Sequence, residues 1–369
     1  MSDASKKVEP LELFFDLVFV FALTQVTASM AYDPTGEGIL KGLLVLTAIW
    51  WAWGAYSWLT NEIDTSRWAV RLPMFGAMAA MLVVSLATPG AFGDDAVLFA
   101  VAYFMVRALH IALFAGGTDN VDVRAATRMI APSSFVGPLI ILAAALFTDG
   151  TTQVVIWIFA LLVDIGGTTL RGIDGWNLSP SHFAERYGLI VIIALGESIV
   201  AIGVGASEGE LGAGELIAVV CGITVAAALW STYFDGSPDE IEASLDAASP
   251  GHERNTMARD SFSLLHLPMI AGIVLLALGV KKTLGHVDHH LDLVPAVALC
   301  GGVALYLVAD VLYRRRALGR IEVQRLIAAA ILCLLVLIGT VVSALLLLAA
   351  VAVICVALVA FEQIRKAGA

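Results

Sequence analysis

The chain has 369 residues, is 59% hydrophobic and 14% charged, and carries a formal net charge of −11 at pH 7. Soluble domains carry about 25% charged residues, so a water-soluble globular fold is excluded, and the acidic balance argues against nucleic acid as a partner. No GxxxxGK[ST], HExxH or GxSxG motif occurs, which leaves ATP, zinc and serine hydrolysis without support, and a TVGYG potassium filter is also absent.

In chain order, the polar start "MSDASKKVEP" leads straight into an apolar run at 11–30, expected to act as an uncleaved anchor. That run contains Glu12 and Asp16, four residues apart and so on one helix face, and Gln25 further along. The second run, 39–59, ends in "WWAWGAYSW" (50–58), most of which reads as an interfacial aromatic belt; Trp53 and Tyr56, which recur as Trp230 and Tyr233, are alternatively placed at equivalent helix contacts. Runs at 68–88, 95–114, 127–147 and 152–170 follow, with Arg107 and His110 sharing a face of the fourth and Asp164 deep in the sixth. The seventh, 184–204, opens on Glu185 and Arg186 just after His182, and holds Glu197 near its middle. After 213–233 comes "DGSPDEIEASLDAASPGHERN" (235–255), read as a solvated cytoplasmic connector. Runs at 258–280 (Asp260, His266, Pro268), 291–312 (ending on Asp310), 324–341 and 344–363 complete the chain, the last two separated only around Ser343. Each is near the ~18 residues that span a bilayer as a helix, and their continuity is unlike the ~10-residue alternating strands of a barrel. The expected fold is an all-α polytopic membrane protein with about 12 transmembrane helices; eleven or thirteen remain compatible.

The runs repeat. "FFDLVFVFALTQ" (14–25) aligns with "RYGLIVIIALGE" (186–197), so that Gln25 meets Glu197. "WGAY" (53–56) aligns with "WSTY" (230–233), "RLPM" (71–74) with "HLPM" (266–269), and "YFMVRALH" (103–110) with "YLVADVLY" (306–313). The order matches spans 1–4 to spans 7–10. The expectation is two parallel six-helix repeats, 1–172 and 173–369, related by an axis along the membrane normal. With the N-terminus in the cytoplasm, the outer connections hold only Lys41, Lys281 and Lys282, and Arg107 lies within a span; the other cations fall inside. This places both termini in the cytoplasm of a bacterial inner membrane.

An ionisable side chain within a span costs at least ~2.5 kcal/mol and so faces the protein interior or a water-filled path. Asp16, Gln25, Glu197 and His266 are the expected ion- or substrate-binding residues, with Glu12, Arg107, Asp164, Glu185, Arg186 and Asp310 in support. Simpler roles stay open: Glu12 as a helix-start partner, Arg107 paired with Asp164 or Asp16, Arg186 snorkelling at the membrane edge. Cys221, Cys300, Cys333 and Cys355 lie in apolar runs without CxxC spacing and read as small buried hydrophobes. His286, His289 and His290 share an outer loop without specific ligand spacing, and neither a metal nor a cofactor is expected.

"LELFFDLVFVFALTQ", "HFAERYGLIVIIALGESIV" and "LLHLPMIAGIVLLALG" resemble the bacterial low temperature requirement protein A family over essentially the whole chain. The resemblance implies a polytopic inner-membrane protein linked by name to growth in the cold, and carries Glu12, Phe15, Asp16, Glu185, Arg186, Gly196, Glu197 and His266 over as signature positions. It supplies no reaction. A transporter or channel for a small ion or polar solute is the first functional reading. A non-catalytic scaffold or sensor is the second, and a membrane-embedded lipid- or cofactor-binding enzyme using His110, His182 or His266 is the third. The lipid bilayer is the expected partner, and a homodimer is left open.

Overall fold

The computed structural model describes residues 7–170, 174–207, 211–235 and 238–368. Regular structure among these residues is helical, apart from one antiparallel bridge between His290 and Ser343. The helices are α1 (Pro10–Tyr32), α2 (Gly36–Glu62), α3 (Trp68–Ala87), α4 (Ala96–Gly117), α5 (Val121–Phe147), α6 (Gly150–Thr169), α7 (Pro180–Ser207), α8 (Ala213–Phe234), α9 (Pro238–Ala247), α10 (His252–Ala258), α11 (His266–Gly285), α12 (Leu293–Leu318), α13 (Val323–Gly339) and α14 (Ala344–Ala367).

Eleven helical segments among the described residues are long and apolar enough to cross a membrane, and the chain is a multi-pass membrane protein. The exception among the expected spans is α13. Its 17 residues cover ~25 Å, short of the ~30 Å hydrocarbon core. Thr340 closes its C-terminal end, and Ser343, whose hydroxyl accepts the Leu346 N–H, caps the start of α14. Exposed Leu17, Leu162, Val220 and Leu334 are normal for helices solvated by lipid rather than water.

Three expectations from the sequence change. Trp50 and Trp51 are buried, so that part of the aromatic stretch is packed core and not an interfacial belt; Trp53 and Tyr56, already set apart as packing residues, are buried with them. The 235–255 stretch is largely helical, with Ile241 and Leu245 buried at 1% and 0% exposure; apolar spacing of four residues gives α9 one inward face. The beginning of the ninth span is not regular α-helix: Arg259–Leu264 form a π-helical turn between α10 and α11. Pro268 has no N–H to offer the Leu264 carbonyl, and a widened turn sits where that bond is missing. The cysteines also divide: Cys300 and Cys355 are buried, Cys221 is half-buried and Cys333 is exposed.

The chain forms two compact units. One comprises Met1–Ser29, Leu40–Tyr187 and Glu242–Ser263; the other comprises Met30–Ile39, Gly188–Ile241 and Leu264–Ala369. In the first unit α3, α4, α5 and α6 pack consecutively. At Gly137, a Cβ would stand 2.7 Å from the Asp164 Cβ and 3.0 Å from the Ala160 carbonyl, so only glycine lets α5 approach α6 this closely. In the second unit α11, α12, α13 and α14 pack consecutively, and α8 lies against α14. There α11 and α12 cross backbone to backbone: a Cβ on Gly272 would meet the Gly302 carbonyl at 2.5 Å, and one on Gly302 would meet the Gly272 carbonyl at 2.7 Å.

Candidate functional site

In the first unit, α1 and α7 meet through complementary pairs. Glu12 and Asp16 are four residues apart on α1, and His182 and Arg186 four apart on α7, so each helix presents two polar groups on one face. Arg186 bridges both carboxylates, with Nη1 3.1 Å from Glu12 Oε1 and Nη2 2.9 Å from Asp16 Oδ1. His182 Nε2 lies 2.9 Å from Glu12 Oε2. All four side chains are at most 1% exposed. Arg186 therefore does not snorkel; its stem and fork are enclosed, with the guanidinium 5.8 Å from the Trp53 ring centre.

α2 supplies the walls. Its Trp53 donates Nε1–H to Asp16 Oδ1 at 2.8 Å, and its Thr60 hydroxyl accepts from Arg186 Nη1 at 3.3 Å. Asn61 positions His182. Its Oδ1 accepts the Ser179 N–H at 3.0 Å and its Nδ2 donates to the Ser179 carbonyl at 3.3 Å. The same Nδ2 lies 3.1 Å from His182 Nδ1, so the imidazole is held between Asn61 and Glu12.

Two carboxylates share one guanidinium and one imidazole. Glu12 is satisfied: Oε1 accepts from Arg186, and Oε2 from His182 and from the Glu9 N–H at 2.9 Å. Glu12 thus serves the helix start as well as the ion pair. Asp16 Oδ1 is likewise doubly bonded, but Asp16 Oδ2 is buried with no hydrogen-bond partner.

The other residues singled out from the sequence fall elsewhere. Arg107 Nη2 pairs with Asp164 Oδ1 at 2.8 Å, joining α4 to α6 at the point where Gly137 brings α5 close. Glu185 is exposed and accepts the Val8 N–H at 3.2 Å, outside the buried cluster. Gln25 is half-buried. In the second unit, Glu197 and the adjacent Ser198 are buried at 1% and 2% exposure. His266 bonds Tyr233 through Nε2 at 2.9 Å and stands edge-on to Tyr313.

Asp310 belongs to a different kind of cluster. It accepts from Arg314 Nε at 3.0 Å and from Arg325 Nη1. Arg325 also grips Glu362 with Nε at 2.8 Å and Nη2 at 2.7 Å. Both arginines further donate to the Thr232 carbonyl at the end of α8. Two acids face two arginines, and the tetrad ties α12, α13, α14 and α8 together. Glu362→Gln should strip one charge from the fork and lower stability by about 1–3 kcal/mol, read as thermal unfolding in detergent; an unchanged melting temperature would show that the tetrad holds nothing.

Sequence reasoning found Asp16, Glu12 and Arg186 but missed Asn61, Trp53, Arg325 and Glu362. The repeat had flagged Trp53; nothing in the spacing flags the other three.

No solved structure matches the chain. A protein of Rhizobium meliloti (strain 1021), described as uncharacterized, is 32% identical over 340 residues, covering 87% of this chain and 80% of its own. The model of the family described as bacterial low temperature requirement A protein (LtrA) matches residues 7–360, nearly the whole length, and the chain belongs to that family.

Proposed function

We propose that the protein moves a proton or a small monovalent cation across the bacterial inner membrane, and that Asp16 is the group that takes it up. The observation that carries this reading is Asp16 Oδ2, buried without a hydrogen-bond partner in a cluster where two carboxylates share one guanidinium. A buried uncompensated carboxylate is costly and is relieved by binding positive charge. The balanced Asp310 tetrad has no such deficit and reads as structural.

Both termini in the cytoplasm require α13 to cross as a short twelfth span, and the Lys and Arg distribution in the connections favours that even count. Duplication of a six-helix half is supported by equivalent contacts within each unit. The Tyr56 and His110 rings lie 5.5 Å apart, and Tyr233 and Tyr313, at the aligned positions, lie 6.1 Å apart. A tyrosine hydroxyl also joins the corresponding helix pair in each unit, though from non-aligned positions and in opposite senses: Tyr56 on α2 donates to the Val106 carbonyl of α4, and Tyr306 on α12 donates to the Leu229 carbonyl of α8.

The test is flux in proteoliposomes with an internal pH-sensitive dye, under imposed proton, K⁺ and Na⁺ gradients. Wild type should show flux in at least one of these. Asp16→Asn keeps the Trp53 and Arg186 contacts within reach of the side-chain oxygen and should fold normally, yet reduce flux at least ~10-fold, equivalent to ~1.4 kcal/mol. Absence of flux in the wild type under every gradient, or an unaffected Asp16→Asn, would sink the proposal.

A further inference from the structure

Within the first unit, α2, α4 and α5, the end of α6 and the π turn enclose a cavity of about 90 Å³ that the charged cluster does not use. One water needs ~10–15 Å³ on this measure, so the space admits a small organic molecule. Its walls include Trp50, Trp51, Trp58 and Trp176. Two of these indoles have their N–H committed: Trp50 donates to the Ser263 carbonyl at 2.8 Å, and Trp58 to the Ser263 hydroxyl at 3.0 Å. Those bonds pin the rings, leaving mainly aromatic surface for a ligand.

Polar groups converge on the same space. Arg107 lines it and is 1% exposed, with one nitrogen on Asp164 while Nε and Nη1 have no hydrogen-bond partner. Ser134, fully buried, also lines it with an unpartnered hydroxyl. Buried donors of this kind are costly to leave without an acceptor. A few convergent polar groups in an aromatic pocket is the usual form of a small-molecule site.

The charge state selects the ligand class. Both guanidiniums that line the space are paired, Arg107 with Asp164 and Arg259 with Asp260, so an anionic ligand would bury an uncompensated charge beside a carboxylate, and a cation would meet a guanidinium. A neutral oxygen acceptor meets neither objection. It takes the free N–H groups of Arg107 and the Ser134 hydroxyl, while a flat ring fits between indoles. The geometry points to a binding site for a small, neutral, planar carbonyl compound: an aryl ketone, an aryl amide or a quinone. The site stands apart from the Asp16 cluster and does not rest on the transport reading, because binding is measured without flux.

The experiment is ¹⁹F NMR on purified full-length protein in nanodiscs, titrated with 4-fluoroacetophenone, with 1-ethyl-4-fluorobenzene as the isostere lacking the oxygen and 4-fluorobenzoate as the anion. The ketone should bind saturably, at least ~10-fold tighter than either comparator. Ala55→Leu fills the cavity from α2 and should abolish that binding. Ser134→Ala, which removes a hydroxyl without adding volume and so keeps the fold, should shrink the preference for the ketone over the ethyl compound. Arg107→Met/Asp164→Asn keeps the pair neutral and should remove most of the preference. Equal binding of ketone and ethyl compound, or ketone binding that survives the Ala55 and Ser134 variants unchanged, would mean partition into lipid and overturn the site. Tighter binding of the benzoate would overturn the assignment to a neutral ligand.

Discussion

Arg186→Met is expected to lower stability by about 3–5 kcal/mol, the cost of breaking a buried ion pair from one side. Arg186 is the shared partner of Glu12 and Asp16, both essentially unexposed, and methionine fills its stem volume while removing both bonds. Of the cluster's basic side chains only His182 then remains beside the two carboxylates. Arg186→Lys should fall between: the charge remains, but a single ammonium cannot span Glu12 Oε1 and Asp16 Oδ1 as the planar fork does. Adding Asp16→Asn to Arg186→Met should recover part of the loss, since one stranded charge disappears. Thermal unfolding by tryptophan fluorescence at matched detergent reads all three. Arg186→Met melting with the wild type would show that the cluster is hydrated or already neutral, and would withdraw the charge argument behind Asp16.

The second large effect is expected at the α11–α12 crossing. Helix propensity favours Ala over Gly by ~1 kcal/mol, so Gly→Ala within a helix is stabilising where space allows. At Gly272 it does not: the added methyl would lie 2.5 Å from the Gly302 carbonyl and 2.9 Å from the Tyr306 backbone nitrogen. Both are backbone atoms and cannot rotate away, so the helices must separate. Gly272→Ala and Gly302→Ala should each cost about 1–3 kcal/mol net, as overpacking does. Gly301→Ala is the control. Its neighbour is the Val297 side chain at 3.7 Å, an ordinary contact, so propensity wins and stability should hold or rise. Equal behaviour of Gly272→Ala and Gly301→Ala would contradict the close crossing.

The spans were legible because a bilayer's thickness is written directly in the length of apolar runs. α13 was the borderline case, since the turn that shortens it contains only Thr340 and Ser343 among apolar neighbours. Asp16, Glu12 and Arg186 stood out because charge in a span is expensive. Their pairing did not, because four-residue spacing shows which residues share a face and not which helix that face meets. The pairing of Arg107 with Asp164 was one of two alternatives the sequence left open, and the structure selects it. Arg325 and Glu362 escaped notice for the opposite reason: near the ends of apolar runs a charge needs no explanation. The tryptophans were misread because belt and core have the same aromatic composition. Only their neighbours, an Asp16 carboxylate for Trp53 and the Ser263 carbonyl for Trp50, tell them apart.

The bond from Arg186 to Asp16 spans 170 residues of sequence. At ~5–20 residues per second of synthesis, α1 precedes its cation by about 10–30 s. Throughout that interval Glu12 and Asp16 have the Glu9 N–H and the Trp53 indole but not the guanidinium that both of them bond. Synthesis order thus leaves the first helix with its charges unpaired until the seventh is made, so that one arginine bears on the order of assembly as well as on the final stability.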